Sequence, residues 1–183
     1  MTTLVIVPGW MDSGAGHWQT LWEKSYPASV RSEQDDWARP VRSDWVARLD
    51  ATLQQLEADE DVVFVAHSLG CATVAHWAAQ ASLLEQRRIR GALLVAPPDL
   101  DDVRCDVVPA SGFTPLPDWR LPFPAIVVAS LDDPFCTPER AEAMARAWEA
   151  RFVTVGAAGH INADSGLGQW EFGQRLLQRL ILR

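Results

Sequence analysis

The segment Val65-Ala66-His67-Ser68-Leu69-Gly70 has the residue types and spacing of an activated serine. An apolar run, residues 62–66 (Val-Val-Phe-Val-Ala), stops directly before it, and a small-residue segment of helical character, residues 71–81, follows. A strand that turns sharply into a helix forces the residue between them into strained backbone and lifts its side chain clear. Small residues two before and two after let such a turn close. Ala66 and Gly70 hold those positions; glycine is usual at both, so Ala66 is a mild departure. Ser68 would then sit at a helix N-terminus, with the Leu69 N–H directed at the oxygen that becomes negative in acyl transfer. The competing explanation is a plain helix cap, for which serine is a favoured residue.

A serine nucleophile needs a base and an acid that orients it, and in this architecture the chain order is Ser, acid, His. The four histidines are His17, His67, His76 and His160. Only His160 follows a late strand in a small-residue loop, Gly156-Ala157-Ala158-Gly159-His160, which can carry an imidazole back over the sheet edge. His76 falls in the helix after Ser68 and should point away; His67 should leave on another face; His17 lies early, beside Trp18. The acid is sought in Ser130-Leu131-Asp132-Asp133-Pro134-Phe135, directly after an apolar run. Pro134 holds the residue before it in extended geometry, which favours Asp133 and leaves Asp132 in reserve. Asp99, Asp101 and Asp102 are weaker options. A further turn, Pro8-Gly9-Trp10-Met11, ends the first apolar run. In open α/β sheets functional groups gather at the C-terminal edge of the strands. The Trp10 N–H is therefore the expected second oxyanion donor, with Met11 as its alternative. Met11 and Phe135, with Phe113 and Trp119, are candidates to line a substrate pocket. Gly9, Gly14 and Gly16 lack the spacing of a dinucleotide fingerprint.

These residues need a scaffold that brings strand ends together. Short apolar runs at 4–7, 29–31, 62–66, 93–95, 125–129 and 152–155 read as strands. Helical spacing at 45–56, 71–81, 139–148 and 169–182 reads as helices between them. Alternating strands and helices imply a parallel sheet covered on both faces, an α/β sandwich. Residues 97–124, rich in proline, form an irregular excursion that can cover part of a cleft. The 183 residues suit a single domain, 1–183. A formal charge of −8 disfavours nucleic acid and anionic membrane surfaces as partners. No run approaches the length of a membrane span, and the start of the chain does not resemble a secretory signal, so a cytoplasmic location is expected. Three cysteines without a C-x-x-C pair favour neither disulfides nor a thiolate zinc site. The chemistry needs no metal or organic cofactor, and its partner would be a small acyl ester.

The chain resembles the small serine hydrolases of the retinoblastoma-binding protein 9 / YdeN family, a compact branch of the α/β-hydrolases. The resemblance rests on Val5-Ile-Val-Pro-Gly9, His17-Trp18 with Trp22, Trp37 with Pro40 and Trp45, Ala66-His-Ser-Leu-Gly70, Ser130 to Phe135, and Gly159-His160. It runs from the first strand to the last loop. It implies a three-layer α/β/α sandwich of about six parallel strands in order 2-1-3-4-5-6, without a lid domain. It also implies a triad of Ser68, Asp133 and His160, and decides for Asp133 over Asp132 more firmly than the local pattern does. The retinoblastoma association in the family name finds no matching contact motif around Cys105.

Overall fold

The computed structural model of the protein describes residues 2–182. The apolar run at 62–66 becomes the middle of β3 (Asp61–His67), buried from Val62 to His67. It pairs in parallel with β1 (Thr2–Val7) on one side and β4 (Ile89–Val95) on the other. β2 (Ser29–Arg31) joins beyond β1, and β5 (Ala125–Ala129) and β6 (Arg151–Thr154) follow β4. The result is one six-stranded parallel sheet in the order β2-β1-β3-β4-β5-β6.

Side chains alternate across this sheet, as the two-residue period of a strand requires. Val5, Val7, Phe64 and Ala66 face a core built with α2 (Arg42–Gln54), α3 (Leu69–Gln80) and α5 (Pro138–Ala147). Leu4, Ile6, Val63 and Val65 face the other core, built with α1 (Trp18–Ser25) and α6 (Glu171–Ile181). The short α4 (Leu83–Arg87), closed by a Ser82/Glu85 capping box, precedes β4. Both faces of the sheet are covered, which explains strands read as near-continuous apolar runs. No lid domain is inserted among the described residues, and none of their helices is long and apolar enough to cross a membrane.

α1 and α4 are absent from the sequence-based expectation. In α1 the sequence Trp-Gln-Thr-Leu-Trp-Glu-Lys-Ser is tryptophan-rich, and its helical register is fixed from outside. The Trp18 and Trp22 rings lie 4.7 Å apart, and Trp18 meets Trp170 at 4.9 Å. The Trp18 indole N–H donates to the Ile161 carbonyl at 2.8 Å, and the Trp22 indole to the Gln169 carbonyl at 2.7 Å. Large aromatic burial with a satisfied polar tip outweighs weak local propensity. The helix therefore fastens the loop after β6, in which His160 sits.

Candidate active site

Ser68 stands between the end of β3 and the first turn of α3, with φ +54° and ψ −125°. Positive φ is strained for any residue with a Cβ, and it is the price of lifting the hydroxyl out of the sheet. Gly70 shows why the turn needs a glycine: a Cβ there would lie 2.1 Å from the Val7 carbonyl oxygen and 2.7 Å from that of Pro8. Gly9 is held as tightly from the other side, since a Cβ there would come within 2.8 Å of the Ser68 Cβ. Ala66 fits without glycine because its methyl group packs in the α2/α3/α5 core. Ser68 makes no capping hydrogen bond to α3, so the plain-cap explanation does not hold.

The hydroxyl instead meets His160. The distance from Ser68 Oγ to His160 Nε2 is 2.8 Å, and His160 Nδ1 lies 2.9 Å from each oxygen of Asp133. A carboxylate only accepts hydrogen bonds, so neutral His160 carries its proton on Nδ1 and Nε2 accepts from the serine hydroxyl. Asp133 is buried, and its Oδ1 also accepts the Phe135 N–H at 2.9 Å. The turn before α5 thus fixes the carboxylate. Asp132 points elsewhere and is exposed. Its Oδ1 accepts the Ser130 hydroxyl at 2.7 Å and the Gly159 N–H at 2.8 Å. These bonds, the Ser130 one first, hold its carboxyl below the usual aspartate range. Asp132 clamps the His160 loop and does not touch the imidazole. Asp99 and Asp101 bind Arg140, and Asp102 binds Arg104, so the weaker options for the acid are occupied elsewhere.

Leu69, as the first residue of α3, has one of the helix N–H groups that lack an intrahelical acceptor. The Met11 N–H donates to the Trp37 carbonyl at 3.0 Å, whereas no hydrogen bond engages the Trp10 N–H among the described residues. The Trp10 indole N–H donates to the Ala38 carbonyl at 3.0 Å, and Trp10 lines the cleft over Ser68. Of the two alternatives, Met11 has its backbone donor engaged and Trp10 does not.

A cleft of about 270 Å³ opens over Ser68 and His160. Met11 and Phe135 line it as expected, joined by Leu69, Pro98, Leu100 and Val108. The last three come from the 97–124 excursion, which therefore forms a wall. Its apolar positions lack a period, so nothing in the sequence distinguished Leu100 and Val108 from the surface-exposed Val103 and Val107. Phe113 and Trp119, also expected near the pocket, are elsewhere. Phe113 packs edge-on against Trp45 in a separate core, and Trp119 borders a distinct depression with Arg42 and His76. His76 points away, its Nε2 bonded to the Phe113 carbonyl at 2.8 Å. His67 departs from expectation: its ring borders the cleft and its Nε2 reaches the His160 carbonyl. Among the described residues no group of three or more His, Cys, Asp or Glu side chains is arranged as metal ligands.

Residues 4–179 match the family described as serine hydrolase. The chain belongs to the serine hydrolase family. A protein described as a YdeN-like hydrolase from Pectobacterium atrosepticum is 32% identical to this serine hydrolase. Its structure aligns at a TM-score of 0.84 over 98% of this chain and 90% of that one. The ydeN gene product of B. subtilis, 18% identical, aligns at 0.80 over 100% of both chains. The carboxylesterase CesB of Bacillus subtilis, 14% identical, aligns at 0.66 over 96% of this chain and 82% of that one. At the last two identities the likeness is one of fold. No protein of curated function matches the sequence. The six-stranded order and the family match together make this serine hydrolase a YdeN-type α/β-hydrolase.

Proposed function

We propose that the protein hydrolyses a small carboxylic ester, or a similar acyl bond, through Ser68, His160 and Asp133. The observation that carries this reading is the unbroken hydrogen-bond line from Ser68 Oγ through His160 to Asp133. Ser68 attacks the acyl carbon while His160 Nε2 takes its proton. Asp133 holds the imidazole in the required tautomer and stabilises its cation. The Leu69 and Trp10 N–H groups receive the oxyanion. His160 then protonates the leaving group, and water repeats the sequence on the acyl-enzyme. The chemistry requires no metal or organic cofactor.

The cleft argues for a small acyl group. Its volume of about 270 Å³ is at the low end for ligand pockets, and Met11, Leu100, Val108 and Phe135 give it apolar walls. Each buried methylene contributes about 0.8 kcal/mol, but only where a wall exists to bury it. Acyl chains of roughly two to four carbons should be cleaved best. We place this activity in the cytoplasm. Three free, buried cysteines suit a reducing compartment, and the net charge of −8 suits neither nucleic acid nor an anionic membrane as partner. The test is kcat/KM across soluble monomeric esters from acetate to palmitate. The reading expects a maximum among the short chains; a steady rise to palmitate would overturn the small-acyl assignment.

A further inference from the structure

His67 precedes the candidate nucleophile and takes no part in the proton path above, yet it is one of the few polar side chains buried at the sheet edge. Its Nε2 lies 2.8 Å from the backbone carbonyl oxygen of His160. A carbonyl only accepts, so the Nε2 nitrogen carries the proton and donates. Its ring centroid is 4.9 Å from that of His160. Two adjacent residues therefore grip His160: Ser68 meets the imidazole and His67 meets the main chain.

The main-chain contact falls at a strained point. Ile161, a β-branched residue, has φ +49° and is fully buried. A residue of that type at positive φ persists only when its surroundings over-determine it. The peptide plane between His160 and Ile161 sets that angle, and its carbonyl oxygen has no donor other than His67 among the described residues. The next carbonyl, that of Ile161, is held by the Trp18 indole. On the other side of His160, the N–H groups of Gly159 and Ala158 are held by Asp132 and Ser130. Without the His67 donor, only the longer bond from the Ile161 N–H to the Ala158 carbonyl, at 3.2 Å, would hold the 160–161 peptide plane, and the plane could rotate and release the strain at Ile161. Rotation would also change the ψ of His160 and swing its imidazole relative to Ser68 and Asp133.

We infer that His67 is a positioning residue, which fixes the His160 imidazole between Ser68 and Asp133 by donating Nε2–H to the His160 carbonyl. The inference rests on the proposed triad. His67 must also remain uncharged, because a cation beside His160 would oppose the imidazolium that forms in the transition state. Burial, with smaller contributions from His160 and His17, keeps the His67 pKa well below the ordinary histidine value.

The test compares His67→Gln with His67→Asn. The glutamine amide nitrogen can reach the place of Nε2, whereas the shorter asparagine amide cannot. For a short acyl ester, His67→Asn should lower kcat by about 10- to 100-fold with KM little changed, the scale of a misplaced catalytic group. Fluorophosphonate labelling of Ser68 should slow in parallel, and His67→Gln should restore most of both. Equal activity in the two variants, or a loss confined to KM, would overturn the inference. If the asparagine variant fails to fold, the imidazole nitrogen-15 shifts of the unaltered protein decide. They should report His67 as the Nε2–H tautomer, and the Nδ1–H tautomer would overturn the assignment. Ser68→Ala separates the two levels. An inactive Ser68→Ala beside an unaffected His67→Asn removes only the positioning role, whereas an active Ser68→Ala removes the triad and this inference with it.

Discussion

Acid should destabilise the protein through a histidine outside the proposed triad. His17 caps α1: its Nδ1 accepts the Gln19 N–H at 3.1 Å, and only 3% of the residue is exposed. Burial, aided by the neighbouring Arg31 and His160, lowers its pKa from 6.5 to about 4. The folded-state value lies below the unfolded one, so between these limits the unfolded chain binds a proton that the folded chain does not. Stability is fully present above about pH 6.5 and falls as the pH drops towards 4. At 1.36 kcal/mol per pKa unit, His17 alone should cost about 2 kcal/mol between pH 7.5 and pH 5. His67, lowered chiefly by burial, acts in the same direction. His17→Asn keeps a side-chain oxygen for the cap and removes the titrating group. Urea unfolding of both proteins at pH 7.5, 6 and 5 should show a steep loss in the unaltered protein and a loss smaller by about 2 kcal/mol in His17→Asn. Identical losses would refute the assignment of a neutral, buried His17.

Two further substitutions bear on the site itself. Asp133→Asn should reduce kcat on the order of ten-thousandfold by favouring the wrong His160 tautomer. Asp132→Asn, which loosens only the loop contacts to Ser130 and Gly159, should cost far less in the same ester assay. Gly70→Ala forces a Cβ to within 2.1 Å of a backbone oxygen that cannot move independently of β1. It should destabilise the fold by about 1–3 kcal/mol or more, read from denaturant midpoints, and abolish esterase activity.

The strands, and the residues that meet at the sheet edge, were legible because buried parallel strands read as apolar runs, whereas the strand order was implied by the family resemblance. The sequence also places Ser68 and His160 at the ends of two such runs. Pro134 favoured Asp133 over Asp132 and the family resemblance did so more firmly, although the contacts that separate them, Phe135 N–H to Asp133 and Gly159 N–H to Asp132, come from the folded turn. Helix α1 was not legible because its tryptophans carry little helical preference and are ordered by contacts with Trp170, Ile161 and Gln169 far along the chain. The choice between Trp10 and Met11 depended on a single long-range bond, Met11 N–H to the Trp37 carbonyl, which no local pattern announces. Phe113 and Trp119 were misplaced for a related reason: the aperiodic excursion offers no register from which to tell wall, core and surface apart. His67 was misplaced because neighbours of the nucleophile were expected to alternate away from it. The bent loop after β6 instead brings the His160 backbone to the His67 side chain.

Reaction with a fluorophosphonate, followed by mass spectrometry of the intact chain and its peptides, tests the central claim most directly. Only a serine with a bound base and a donor-lined oxyanion site reacts readily with such a probe. One adduct per chain, located on Ser68 and absent from Ser68→Ala, is the predicted result. An unlabelled chain that is demonstrably folded, or labelling that persists in Ser68→Ala, would contradict the assignment of Ser68 as the nucleophile.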